Sequence, residues 1–459
     1  MPLIATIICL SVIVGLFALD RDRGVRISPA LWIPTVWMLI NGSRPVSQWL
    51  HPGSAESLAM QSAEGSPMDA AIFGLLILAG IAVLNFRTRR TGDILRRNLP
   101  ILLFFCYCAI SIFWSDYPFI ALKRYSKAIG DMVMVLVVLT DANPLAAIQC
   151  FFKRVTFILL PLSALLIFFY PGLGTAFDPV DRVTMYVGVT TFKNLLGMIA
   201  MVCGISSVWS FLCAYEDPQM PRRGKHLLAH GLMILTAIFL LLKCDSMTSV
   251  SCFGLASGLM VMSTQKWTRR KPGRIHLVFA AALAVPLFAL FLDSGMVHML
   301  GRKANLTDRT SIWEAVLAMH TNPLVGRGFE SFWMGSTLQR VWDLSVHGIQ
   351  EAHNGYLEVY INLGWIGELL LAAVIVTAYP KILSTLRRIP RLGQLSLAYF
   401  TAGLIYSLTE AGFRMMNPIW IAFLLAIVST GLHFGVREEK AALPSLQPAT
   451  PKRRMRVLQ

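Results

Sequence analysis

Long apolar runs with almost no charge inside them divide this chain, and that pattern leaves few folds open. A hydrocarbon layer about 30 Å thick is crossed by a helix of roughly 17–25 apolar residues. Runs of this kind lie near residues 2–19, 27–42, 69–86, 98–114, 124–140, 155–171, 194–214, 226–243, 246–264, 275–292, 354–378, 395–410 and 418–436. In lipid the backbone must bond to itself, which each helix does alone. The expectation is an all-α integral membrane protein with about 13 (12–14) transmembrane helices. Composition agrees: 14% of the 459 residues are charged, whereas about 25% is usual for soluble domains.

The net charge of +16 is a topology signal, because 28 of the 41 Lys and Arg fall in alternate connections. These connections are 20–26, 87–97, 141–154, 215–225, 265–274, 379–394 and 437–459. The positive-inside bias places them in the cytoplasm, with the N-terminus outside and the basic tail inside. Clusters such as Arg87, Arg89, Arg90 and Lys266, Arg269, Arg270 read as contacts to membrane lipids, so nucleic acid is not an expected partner. Arg21-Asp22-Arg23 follows the first run without a small-residue cleavage pattern, so this run is read as a retained span. The eight cysteines include no C-x-x-C pair, so neither disulfides nor structural zinc is expected. Walker-type and H-E-x-x-H motifs are also lacking, and no cofactor or metal is expected.

Polar chemistry gathers on the other side. Four units follow: helices in 1–292, a large extracytoplasmic loop at 293–353, helices in 354–436, and a cytoplasmic tail at 437–459. The loop carries six acidic and five basic residues. Thr307-Asp308-Arg309-Thr310 can cap a helix ending near Asn322-Pro323, so the loop is expected to form a helical cap over the bundle. At its exit, Asn354 suits an N-cap and leaves His353 at the membrane boundary. His353 is either an ordinary interfacial histidine or a proton acceptor working near neutral pH. On a regular helix Asn354, Glu358, Asn362, Trp365 and Glu368 share an arc of roughly 120°. Such a stripe must face a wet or protein-filled interior. Other groups on this side are Arg182, Lys193-Asn194, Arg309, Glu351, Glu410 and Arg414. Lys193 and Arg414 can equally be snorkelling cations at helix ends. Cations at a membrane boundary suit a lipid-linked phosphate or diphosphate, which arginine binds bidentately.

The stretch His353-Asn354-Gly355-Tyr356-Leu357-Glu358, continued by Asn362-Leu363-Gly364-Trp365-Ile366-Gly367, resembles the signature of the O-antigen ligase/polymerase superfamily. Other stretches are similar to its exopolysaccharide-production polymerase branch. These are Ser28 to Pro34, Ser43-Arg44-Pro45, Trp114-Ser115-Asp116-Tyr117-Pro118, Phe192-Lys193-Asn194, Asp308-Arg309-Thr310, Pro323-Leu324-x-Gly326-x-Gly328 and Thr409-Glu410. Phe192 departs from the histidine of many relatives. The resemblance implies a metal-independent, inverting glycosyltransferase on the outer face of a bacterial inner membrane. It would polymerise polyprenyl-diphosphate-linked oligosaccharide repeat units into exopolysaccharide. On that implication His353 acts as base or orients the acceptor hydroxyl, and Arg309 with Arg182 holds the donor diphosphate. Lys193, Asn194, Glu351, Asn354, Glu358, Glu410 and Arg414 line or orient the site. Partners are then the lipid-linked donor, a glycan acceptor and membrane lipids, with chain-length regulators and export machinery as further candidates. A ligase that moves lipid-linked glycan to another acceptor remains open, as does a polysaccharide transporter or flippase. The latter predicts inverted repeats, which the sequence does not show.

Overall fold

A computed structural model describes residues 1–21, 27–50, 66–178, 182–271, 273–291, 306–345 and 348–432. The basic tail at 437–459 and the start of the long connection at 292–305 lie outside the described residues. Its main helices are α1 (Pro2–Leu19), α2 (Trp32–Asn41), α3 (Pro67–Asn85), α4 (Thr88–Arg97), α5 (Leu99–Ile110), α6 (Pro118–Leu139), α7 (Pro144–Phe169) and α8 (Lys193–Glu216). They continue as α9 (Arg223–Lys243), α10 (Met247–Thr264), α11 (Arg274–Phe291), α12 (Leu306–Leu317), α13 (Gly335–Leu344), α14 (Gly355–Arg388), α15 (Pro390–Thr409) and α16 (Pro418–Ser429). Proline opens α1, α3, α6, α7, α15 and α16, where its fixed φ fits and its missing N–H costs nothing. Strand structure among the described residues is one antiparallel hairpin, Thr175–Asp178 with Val183–Tyr186.

The protein is an all-α membrane protein. A helix lies at each of the apolar runs, yet among the described residues seven are long and apolar enough to cross alone, or eight if α4 and α5, bent by 92°, form one broken span. The figure of thirteen spans is therefore not established. The reason is physical: α2 has 10 residues and α16 has 12, while α6 carries Lys123, Arg124, Lys127 and Asp131. Helix α8 is central, with Leu196, Ile199, Met201, Val202 and Trp209 fully buried; α1 and α3 are peripheral, exposing Ile4, Ile7, Leu75 and Leu78.

Polar ties group the connections into two opposite ends. At one, Asp20 meets Lys153 at 2.9 Å and also binds His226, Arg391 pairs with Asp217 at 3.0 Å, and Lys381 reaches the Arg97 carbonyl at 2.6 Å. These are the basic-rich connections of the sequence. Burial disfavours charge on Asp20, but its bonds to His226 and His230 and the charge of Lys153 outweigh burial and hold its carboxyl below the usual range. At the other end, Arg44 donates to the carbonyls of Leu173 and Thr190. There too Arg327 pairs with Asp116 at 3.1 Å, and Trp114 Nε1 donates to the Val325 carbonyl at 3.2 Å.

The long connection enters the bundle rather than resting on it. Helix α12 ends at Leu317, short of Asn322-Pro323, because the chain then turns inward. Residues 323–328 exchange backbone bonds with α14: Arg327 N–H to Ile361 O, Gly328 N–H to Asn362 O, Trp365 N–H to Pro323 O and Ile366 N–H to Leu324 O, all 2.8–3.1 Å. Helix α14 breaks there, at Gly364 with φ 64° and ψ −166°. A Cβ on Gly364 would lie 2.3 Å from the Leu324 carbonyl, and one on Gly326 would lie 2.4 Å from the Asn362 carbonyl carbon. The positive φ and the close approach both call for glycine. The break corrects the expected polar stripe. Glu358 and Asn362 are buried, whereas Trp365, past the break, is 55% exposed and packs on Tyr360 with ring centres 5.2 Å apart.

Candidate functional site

Helix α14 begins against the end of α15. Asn354 accepts from the N–H groups of Tyr356 and Leu357 at 3.0 and 3.1 Å, which fixes the start of α14. Gly355 lets that start touch Ser407 on α15, to which a Cβ would lie at 2.8 Å. The preceding segment is held from both sides. Trp313 Nε1 donates to the Ala352 carbonyl at 2.8 Å, and the Ala352 N–H donates to Glu358 at 2.5 Å. Glu358 also accepts from Trp333 Nε1 at 2.9 Å, so it supports the loop that carries His353.

His353 therefore emerges beside Glu410, the residue that caps the end of α15. Its Nδ1 lies 3.0 Å from Glu410 Oε2 and 3.1 Å from Glu351 Oε1. The other Glu410 oxygen accepts from Arg309 on α12 at 2.9 Å and from Asn194 on α8 at 3.2 Å. Arg414 follows in the next turn, 3.6 Å from Glu351 Oε2 and 3.1 Å from Glu330 Oε2. Asp131 of α6 anchors this turn by accepting from the Met416 N–H at 2.7 Å. Glu330, His353 and Met416 have φ of 51°, 48° and 59°. Such conformations cost about 1–3 kcal/mol each and gather at functional sites.

Carboxylates at Nδ1 make that nitrogen the donor and leave the Nε2 lone pair to accept a proton. Burial lowers the pKa of His353, the bond to Glu410 and the charges of Glu351 and Glu410 raise it, and the balance lies above the ordinary histidine value despite Arg309. Burial also disfavours the charge on Arg414, but Glu330, Glu358 and Glu351 outweigh burial and hold its pKa above the usual arginine value.

Of the residues singled out in the sequence, His353, Arg309, Asn194, Glu351, Glu410 and Arg414 come together here, with Asn354 and Glu358 supporting them from α14. Among the described residues, no hydrogen bond or ion pair joins Arg182 or Lys193 to this cluster. Arg182 is exposed in the turn of the hairpin, and Lys193 is the first residue of α8. Three residues not singled out belong to the site. Glu330 holds Arg414, and Arg124 and Lys127 of α6 line a cavity with Asn194, Glu351, Glu410 and Arg414. The available signal was a pair of cations three residues apart inside an apolar run, a placement that is costly in lipid.

Glu351, His353 and Glu410 place one ligand atom each within 4.8 Å of one another, a donor set that could hold a metal ion. Arg309 already neutralises Glu410 and Arg414 faces Glu351, so a divalent ion would meet two guanidinium charges at close range. The cluster fits proton transfer and anion binding better than metal chemistry.

The profile of the O-antigen ligase family matches residues 231–372, from within α9 to within α14. The chain is also 25% identical, over 357 residues, to the exopolysaccharide production protein ExoQ of Rhizobium meliloti, covering 75% of this chain and 79% of that one. Both similarities point the same way: residues 231–372 resemble the O-antigen ligase domain, and most of the chain resembles an exopolysaccharide production protein. Its function is accordingly of the membrane glycan ligase or polymerase type. The matched segment holds Arg309, Glu330, Glu351 and His353, while α6, α8 and the turn after α15 bring Arg124, Lys127, Asn194, Glu410 and Arg414 to this O-antigen ligase segment from outside it.

Proposed function

We propose that the protein polymerises polyprenyl-diphosphate-linked oligosaccharide repeat units into exopolysaccharide, by metal-independent, inverting glycosyl transfer on the outer face of a bacterial inner membrane. The observation that carries this reading is the imidazole of His353 held through Nδ1 by two carboxylates, beside a cavity lined by cations.

His353 Nε2 takes the proton of the acceptor hydroxyl as its oxygen bonds to the anomeric carbon of the donor sugar. The bond from that carbon to the diphosphate oxygen breaks, and its electron pair leaves on the diphosphate. Arg309 and Arg414 stand where the leaving charge develops, and Glu410 and Glu351 orient both the imidazole and these cations. Arg182 and Lys193 remain proposed donor contacts, reached once substrate is bound. Preorganised cations matter most for charge that grows during the reaction.

A ligase that hands the glycan to another acceptor uses the same step, and the family description supports that second reading. The lipid intermediates in a deletion strain separate the two. Loss of a polymerase leaves single lipid-linked repeat units; loss of a ligase leaves lipid-linked polymer. A strain in which neither accumulates contradicts both readings.

A further inference from the structure

Helices α3 and α6 touch at their inner halves and part toward the site. A Cβ on Gly80 would lie 2.6 Å from Val133 Cγ1, whereas one on Gly74 would meet nothing within 4 Å among the described residues. The cleft that opens between them is walled by Phe73, Gly74, Ile77 and Leu78 of α3. It shares Asn41, Arg124, Lys127, Leu195 and Met416 with the cavity at Glu351 and Glu410, so the two spaces are continuous. Its outer rim carries Lys123, Arg124 and Lys127.

The carboxylates nearest these cations, Glu330 beside Arg124 and Asp69 beside Lys127, act on them without a direct ion pair. Arg124 donates to the backbone carbonyl of Glu330, and Lys127 lies 5.8 Å from the centre of the Phe73 ring. Among the described residues none of the three forms an ion pair with a carboxylate. The rim's own carboxylate, Asp69, is bound by the N–H and hydroxyl of Ser47. Partly buried cations at the edge of an apolar layer are stable only with a partner. The cleft thus joins an apolar wall, open toward the lipid side where Leu75 and Leu78 are 68% and 64% exposed, to an unpaired cationic rim leading to His353.

We propose that the cleft between α3 and α6 receives the isoprenoid tail of the lipid diphosphate, and that Arg124 and Lys127 hold its diphosphate on the way into the site. This rests on the reading of the site as a lipid-diphosphate glycosyltransferase and adds where the lipid enters and which cations meet it. The apolar wall matches hydrocarbon and the rim matches an anion, so the occupant is amphipathic with its charge at one end.

The test is binding of farnesyl diphosphate and of inorganic pyrophosphate to purified full-length protein in detergent. Gly74→Trp fills open space and should leave the melting temperature unchanged; Gly74→Leu repeats the test with a smaller group. Gly74→Trp is expected to weaken farnesyl diphosphate about tenfold or more and to leave pyrophosphate unchanged. Lys127→Gln is expected to weaken both by about tenfold. Undiminished farnesyl diphosphate binding by both Gly74 variants overturns the proposal, as does equal competition by phosphatidylglycerol. Binding needs no sugar transfer. A chain that binds as expected yet makes no glycosidic bond refutes the glycosyltransferase reading alone, while polymer made at the wild-type rate by Gly74→Trp refutes the entry cleft alone.

Discussion

At the residue scale, the account depends on one imidazole and the charges that hold it. His353→Ala should leave expression and melting temperature close to wild type, because the side chain is partly exposed, and should abolish polymer in a complementation assay. Because the pKa of His353 is raised, more of it is protonated at a given pH, and a base must be neutral to act. Transfer should therefore rise with pH through that raised pKa. Glu410→Gln removes the bond and charge that favour the imidazolium, so the acid limb of the pH–rate profile should move to lower pH. An acid limb that stays in place would separate Glu410 from the titration. Arg309→Ala should slow transfer by about 10²–10³-fold if Arg309 stabilises the leaving charge, measured as initial rate with saturating donor.

At the scale of elements, segment 323–328 and helix α14 form one unit. Gly364→Ala should lower stability by about 1–3 kcal/mol from its positive φ and more from the Leu324 carbonyl in its path, read as a drop in the thermal midpoint. The sequence displayed the helices well, because proline starts and apolar length are local signals. It also displayed the glycines of Gly326-x-Gly328 and Gly364 as separate features. Their shared purpose was not visible, since it arises from a contact between segments distant in the chain. For the same reason Trp365 was placed on the polar stripe: period arithmetic assumes an unbroken helix, and the break is made by another segment. Arg124 and Lys127 stand in the first turn of the apolar run at 124–140, where cations resemble ordinary helix-end residues and only the fold turns them toward a cavity. Glu330 lay in a charge-balanced loop, where one acid among six carries no mark of its partner.

At the scale of the whole molecule, the bundle separates its polar ties into two ends, and the cluster sits where α8, α12, α14 and α15 converge. Stretches such as Ser43-Arg44-Pro45 and Trp114-Ser115-Asp116 serve as clamps: Arg44 gathers the carbonyls near the hairpin, and Trp114 and Asp116 hold the inserted segment. They position the site without touching it, a division that motif order alone does not disclose. Two guanidiniums facing Glu410 and Glu351 take the place a divalent ion would need, so EDTA should leave transfer unchanged; loss of activity restored by Mg²⁺ would contradict the cation-based account. The most direct measurement uses purified protein, a defined polyprenyl-diphosphate-linked repeat unit and a gel that resolves product length. A ladder from the wild type and none from His353→Ala is the predicted result; a ladder that persists undiminished in His353→Ala would contradict it.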